Sequence, residues 1–298
     1  MTVLGLAVRQ GTGEASALGL EVLRWAQNRR LPVVIEQAAF ARYQAAGEIP
    51  EEGVSAKSAF ALPDEADVIV SLGGDGTLIG IARYVGERSP VLIGVNFGTL
   101  GFLTEIAPDE LFETLDAFFQ HRVAYGTRSM LHVEVVRDRE VIFASQAVND
   151  AVIQKETKSP LISLDLWVNS EAVMRVRADG VIVATPTGST AYSLAAGGSI
   201  VYPSLGVYLV TPICPHSLTC RPLILPLDAE LSLSSSSHGG AVSLNIDGQV
   251  LVPLEEQDVV RIIRSKHEVK FVRSPRRTYF DILRGKLNWG QAAGGGTV

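Results

Sequence analysis

The sequence predicts two domains of different class: an α/β domain on a parallel sheet, then a mainly antiparallel, β-sandwich-like domain. Three observations carry this. Short β-branched apolar runs alternate with helix-period stretches up to residue 121. From Arg122 onward the helical period fades, and short apolar runs are separated by turn residues. The 298 residues are enough for two domains of ordinary size.

In the first domain, residues 1–121, the run 3–8 reads as a strand. Residues 13–28 follow with Leu18, Val22, Trp25 and Ala26 at helical spacing. Residues 32–35 form a short strand, and 47–53, with Pro50 and three acids, a loop. The run 67–72 is a buried strand; it leads through Gly73, Gly74, Asp75, Gly76 and Thr77 into an apolar helix start. Residues 91–95 are another strand, running into the glycine-rich stretch 96–103. Pro108 opens a helix to about Gln120, with Leu111, Leu115 and Phe118 on one face. Strands alternating with helices imply a parallel, Rossmann-like sheet whose ligands sit beyond the strands' carboxyl ends. Both glycine-rich stretches fall at such ends.

In the second domain, residues 122–274, the runs 131–136 and 141–144 flank polar residues as a hairpin would. Runs 161–168 and 172–176 repeat the pattern, and 229–235, 241–246, 259–264 and 269–273 continue it. One helix is expected near Thr190. The segment 275–298 is expected to return to the first domain, with its glycine-rich end, 290–298, disordered.

Composition narrows the function. Hydrophobic residues are 47% and charged residues 19%, which supports a large core. A net charge of −6 argues against broad nucleic-acid or anionic-membrane binding. No apolar run approaches the ~18 residues of a membrane span. The N-terminus reads as a strand rather than a signal peptide. Cys214 and Cys220 are too few for a disulfide scaffold and match no common zinc spacing. A cytoplasmic protein is expected.

Four stretches carry candidate chemistry. Strand, glycine turn and helix at 67–85 present backbone N–H groups to a phosphate, so Gly73, Gly74, Gly76 and Thr77 form a candidate phosphate loop. Asp75 conflicts with an anion there unless it holds a metal or takes a proton. A plain tight turn capped by Asp75 explains less of this density of small residues. Asn149 and Asp150 are ordinary turn residues, or donors and acceptors for a ribose or an adenine edge. Asp179 and Gly180 open a strand that runs into Thr185, Pro186, Thr187, Gly188, Ser189 and Thr190, readable as a helix cap, a nucleotide cradle, or both. Asp247-Gly248-Gln249 is a good hairpin turn in itself. His216, after Pro215, reads as structural.

Taken together and in this order, these motifs resemble the NAD kinase family. The likeness spans residues 67–250 and includes Pro215, His216, Ser217 and Leu218 with Arg221 and Pro222. The first motif is shared with diacylglycerol and sphingosine kinases; the third is more particular to NAD kinases. The resemblance implies transfer of the terminal phosphate of ATP, or in some members of polyphosphate, to the 2′-hydroxyl of the adenosine ribose of NAD. A divalent cation, usually magnesium, assists; no carboxylate cluster in the sequence marks its ligands. It further implies Asp75 as proton acceptor, with NAD contacts from Asp75, Gly76, Asn149, Asp150, Arg177, Asp179, Thr190, Ala191, Tyr192, Ser193, Leu194, Ala195 and Gln249. Gln249 would serve from a neighbouring subunit if, as in relatives, the chain is a homo-oligomer, dimer or tetramer.

Two departures stand out. Many relatives carry Asn-Glu where this chain has Asn149-Asp150, and the shorter acid reaches less far. Some carry a basic residue near Ser159 or Pro160, for which Lys155 or Lys158 are the candidate replacements. Two other readings stay open: a lipid kinase sharing the Gly-Gly-Asp-Gly-Thr loop, and a non-catalytic dinucleotide-binding regulator.

Overall fold

The computed structural model describes residues 2–11, 13–49, 52–98, 101–156, 161–236 and 240–289. The glycine-rich tail 290–298, Lys158, Ser159 and Pro160 lie outside them. The chain divides into two units, Met1–Thr127 with Val269–Val298, and Arg128–Glu268.

In the first unit, strands β1 (Leu4–Val8), β2 (Val33–Glu36), β3 (Val54–Lys57), β4 (Val68–Leu72) and β5 (Val91–Val95) lie in the order β3-β2-β1-β4-β5. Every neighbouring pair is parallel. β1 and β4 are buried along their whole length, as strands covered on both faces must be. One face packs Leu4, Leu6, Val70 and Leu72 against Leu18 and Val22 of helix α1 (Gly13–Asn28). On the other face a Cβ at Gly94 would come within 2.7 Å of Leu78. Leu78 belongs to α4 (Asp75–Ala82), the fourth helix after α2 (Gln37–Ala45) and α3 (Leu62–Glu65). The expected helix from Pro108 begins as one tight turn, Pro108–Glu110, and continues as α5 (Leu111–Phe119). From β1 the chain runs outward through β2 to β3, then returns to place β4 on β1's other side. That reversal opens a crevice at the carboxyl ends of β1 and β4, where the Gly-Gly-Asp-Gly-Thr loop begins.

The second unit is a sandwich of two sheets. One contains β6 (Tyr125–Arg137), β7 (Glu140–Ala147), β9 (Ile162–Val168), β10 (Glu171–Ala178), β14 (Leu231–Ser236) and β17 (Val259–Val272). The other runs β13-β12-β11-β8-β15-β16, all antiparallel. Its strands are β8 (Asp150–Lys155), β11 (Gly180–Ala184), β12 (Val207–Ile213), β13 (Leu223–Pro226), β15 (Val242–Ile246) and β16 (Val250–Leu254). The two-residue turns at Asp138-Arg139, Asn169-Ser170 and Asp247-Gly248 hold positive φ at both positions, the geometry that matches strand twist in tight hairpins.

Where two strands were expected at 259–264 and 269–273, β17 is continuous. The intervening Ser265, Lys266, His267 and Glu268 are polar but include no glycine or proline, so nothing breaks the extended backbone. β17 pairs first with β14 and at its end with β5. The segment that follows belongs to the first unit, where Arg276 and Arg277 reach the buried Glu110 and α7 (Tyr279–Leu287) starts on a Thr278–Asp281 capping box.

Strand alternation positions the site. Ala151 and Ile153 of β8, Val181 and Val183 of β11, and Leu244 and Ile246 of β15 enter the sandwich core. Asp150, Val152, Gln154 and Asn245 therefore stand on the outer face. The segment after β11 covers part of that face, packing Val201 over Val152, Ile182, Ala184 and Leu209. Asp150, Gln154 and Asn245 lie at the edge of this cover.

Candidate active site

Asp75 stands at the first position of α4, directly beyond the carboxyl end of β4, and is half-buried. Its Oδ2 accepts the Phe102 N–H at 2.8 Å. Its Oδ1 accepts the N–H groups of Leu103 and Thr104 at 3.2 and 2.9 Å and the Thr104 hydroxyl at 2.8 Å. Thr104 is fully buried, and its hydroxyl accepts from Asn96 Nδ2 at 3.2 Å. The conflict expected between an acid and an anion is thus reduced: N–H donors and a helix N-terminus surround the carboxylate.

The loop glycines divide by what surrounds them. A Cβ at Gly73 would lie 2.7 Å from Thr77 Oγ1, and one at Gly101 2.1 Å from Asp75 Oδ1. Those two are required by packing. A Cβ at Gly74 or Gly76 would meet nothing within 4 Å, and neither has positive φ. Smallness there leaves room for something other than protein.

In the second unit a hairpin tip anchors the Asn149-Asp150 pair. Asp247 Oδ2 accepts the Val148 N–H at 3.0 Å, and Oδ1 accepts those of Asn149 and Asp150 at 2.7 and 3.1 Å. The Asp247 N–H returns a bond to the Asp150 carbonyl at 3.0 Å. Asp150 is 4% exposed. Burial, and then the charge of Asp247, push its carboxyl up to about 7. Asn149, Asp150, Gln154, Tyr192, Asn245 and Gly248, with Ala191, line a cavity of about 200 Å³.

The hydroxyl-rich stretch after β11 resolves into turn bonds and packing; neither short helix there has a side-chain cap, so the cap expected from Ser189 or Thr190 is not made. Thr185 Oγ1 donates to the Val148 carbonyl at 2.6 Å and accepts the Gly188 N–H. Ser189 Oγ donates to Pro186 and accepts from Val201, and Ser193 pairs with Thr211. Thr185, Ser189 and Ser193 are fully buried, so these hydroxyls face inward. Thr190 donates to the Thr187 carbonyl. Ala191 and Tyr192 reach the cavity; Ser193, Leu194 and Ala195 complete the short α6 (Tyr192–Ala195) behind them.

Arg177 and Asp179 lie toward the far end of β8, where Asp179 pairs with Lys155 at 3.3 Å. Five residues of strand separate that end from Asp150, about 17 Å. Arg177 is exposed, and its carbonyl accepts the His216 N–H. Gln249 is exposed at the hairpin beside Gly248. Asn245 and Gln154 carried no motif in the sequence. Strand alternation counted from Asp150, with β15 in register, would have found them.

Family models match most of the chain: the ATP-NAD kinase N-terminal domain over residues 4–123 and the C-terminal domain over 148–274. The NAD kinase of Geobacter metallireducens is 41% identical over 271 residues, spanning 91% of this chain and 93% of that one. The NAD kinase of Solibacter usitatus is 39% identical over 289 residues, spanning 96% and 97%. The chain belongs to the ATP-NAD kinase family. Among solved structures, yeast NADH kinase complexed with NADH matches with a TM-score of 0.85 at 27% identity, over 98% of this chain and 89% of that one. An NAD kinase from Archaeoglobus fulgidus in complex with ATP matches with a TM-score of 0.67 at 22% identity, over 96% and 99%, a likeness of fold alone.

Two predictions follow for this member of the ATP-NAD kinases. A Cβ at Gly188 would sit 2.1 Å from the Asn149 carbonyl oxygen, backbone against backbone. Gly188→Ala is expected to cost at least ~2 kcal/mol, read as a lowered melting temperature. The Asp150 carboxyl keeps its proton in the folded chain at pH values where the unfolded chain has lost it. Folding stability should therefore fall as pH rises from about 4 to about 7 and level off above. Rising from 3.8 to about 7 corresponds to ~4 kcal/mol at most. Asp150→Asn should remove this slope, so its advantage in melts grows between pH 4.5 and pH 8.

Proposed function

We propose that Asp75 is the proton acceptor and that its Oδ2 meets the reacting hydroxyl in the reaction of this family. The chain is an NAD kinase: it moves the terminal phosphate of ATP onto the 2′-hydroxyl of the adenosine ribose of NAD, making NADP. An ionised carboxylate only accepts hydrogen bonds. Oδ1 takes three donors and Oδ2 one. That Oδ2 is the less engaged oxygen is the observation that carries the assignment. The ribose hydroxyl donates there; as its oxygen bonds to phosphorus, the proton passes to Asp75 and the departing electron pair to the leaving ADP. Such transfers need positioning and charge neutralisation more than covalent help. The N-terminus of α4 and the open space beside Gly74 and Gly76 support a phosphate site in the same loop.

On the second unit, Asn149, Asp150, Ala191 and Tyr192 share a cavity at one end of β8, and Arg177 and Asp179 lie toward the other. We assign the adenosine to the Asp150 end and the rest of the dinucleotide along the strand. Magnesium, or another divalent cation, we assign to the phosphates of ATP. Among the described residues no three His, Cys, Asp or Glu side chains stand close enough to hold a metal, and Asp75 faces N–H donors. The donor set does not fit a resident ion.

Gln249, exposed on the hairpin, is the residue assigned to a neighbouring subunit of a homo-oligomer; this rests on the family resemblance. A cytoplasmic setting is supported by two cysteines that remain free thiols. Among the described residues no helix is long and apolar enough to cross a membrane.

Asp75→Asn is the test. It is not neutral in shape, because the new amide nitrogen would face one of the backbone N–H donors. A stability loss of ~1–3 kcal/mol is expected, so melts accompany the kinetics. NADP formation from NAD, ATP and magnesium should slow ~10²–10⁴-fold, while NAD binding by calorimetry stays within a few-fold of the parent. Near-normal turnover would remove Asp75 from the chemistry.

A further inference from the structure

We infer that Asn245 is a specificity-determining residue whose side-chain carbonyl accepts a hydrogen bond from the exocyclic amine of the adenine of NAD. This rests on the NAD-kinase reading and on the adenosine lying at the Asp150 end of β8.

Asn245 Oδ1 is buried and has no hydrogen-bond partner among the described residues. Leaving a buried carbonyl unpaired is costly, so in a folded protein such an atom calls for a partner. The residue lines the 200 Å³ cavity with Asn149, Asp150 and Tyr192. β15 pairs with β8 so that Asn245 lies opposite Val152. That register makes it the diagonal neighbour of Asp150 and Gln154 on one face, roughly 7–8 Å from each.

The wall chemistry selects the ligand. Val152, Ala191 and the Tyr192 ring supply apolar surface for a flat heterocycle. Asp247 spends its oxygens on the backbone of Val148, Asn149 and Asp150. Asp150 fits ribose hydroxyls. An acceptor that still lacks a donor is Asn245 Oδ1, and the ring donor that adenosine offers is its amine. A site built to bond such a group rejects an analogue lacking it, because the protein atom is then left unpaired.

The test compares three dinucleotides on the full-length chain with ATP and magnesium: NAD, its hypoxanthine analogue, which lacks the adenine amine, and nicotinic acid adenine dinucleotide, which lacks the carboxamide amine. The wild type should use the hypoxanthine analogue with kcat/KM lowered about 10²-fold and the nicotinic acid analogue with a much smaller loss. Asn245→Ala should raise KM for NAD about tenfold, keep kcat within threefold, and shrink the hypoxanthine penalty to below about tenfold. An undiminished penalty with unchanged KM in Asn245→Ala overturns the assignment, as does a larger penalty for the nicotinic acid analogue. Should the variant not fold, the wild type decides: equal use of NAD and the hypoxanthine analogue overturns it. If the wild type makes no NADP from NAD, the kinase reading has failed. Calorimetric titration of the wild type with NAD and the hypoxanthine analogue then still tests Asn245, equal affinities counting against it.

Discussion

Each unit carries the same interaction once: a carboxylate that gathers the N–H groups of three successive residues. Asp75 gathers Phe102, Leu103 and Thr104; Asp247 gathers Val148, Asn149 and Asp150. Three consecutive amides turned to one side cannot all join a regular ladder, where neighbours alternate in direction. An ionised carboxylate has acceptor positions for all of them, and the bonds are charge-assisted. At Asp75 the device ties the start of α4 to the segment after β5. At Asp247 it ties a hairpin tip to the start of β8. In the first case the carboxylate itself, and in the second the segment it holds, carries residues assigned to substrate.

Two aspartates then meet opposite surroundings within one chain. Asp75 is ringed by donors. Asp150 is buried beside Asp247, whose charge opposes its own, and its carboxyl is pushed up to about 7. Identical side chains thereby become an acceptor poised on a helix and a carboxyl whose charge changes near neutrality.

The α/β half was legible because fully buried parallel strands read as short unbroken apolar runs, and β1, β4 and β5 are such runs. The position of Asp75 was legible for the same reason: the run ends, glycines follow, and a helix begins. The tight turns of the sandwich showed through Asn169, Asp247 and Gly248. The continuity of β17 did not show, since the polar residues between its halves imitate a connection. Nor did the direction of the hydroxyls in the 185–193 stretch, because a Ser or Thr looks alike in sequence whether it bonds a ligand or its own backbone; the Ser193 hydroxyl pairs with Thr211. Thr104 and Asn245 act through neighbours distant along the chain, and no local pattern records such neighbours.

The glycines around Asp75 differ in what a substitution there would meet. At positions 73 and 101 a methyl group collides with the chain itself, so a damaged fold would announce the substitution. At positions 74 and 76 the methyl group has free space around it. Alanine there is compatible with the fold, so under the proposed phosphate site its effect belongs to activity and not to abundance. Surveys that grade variants by abundance alone would miss an effect of that kind.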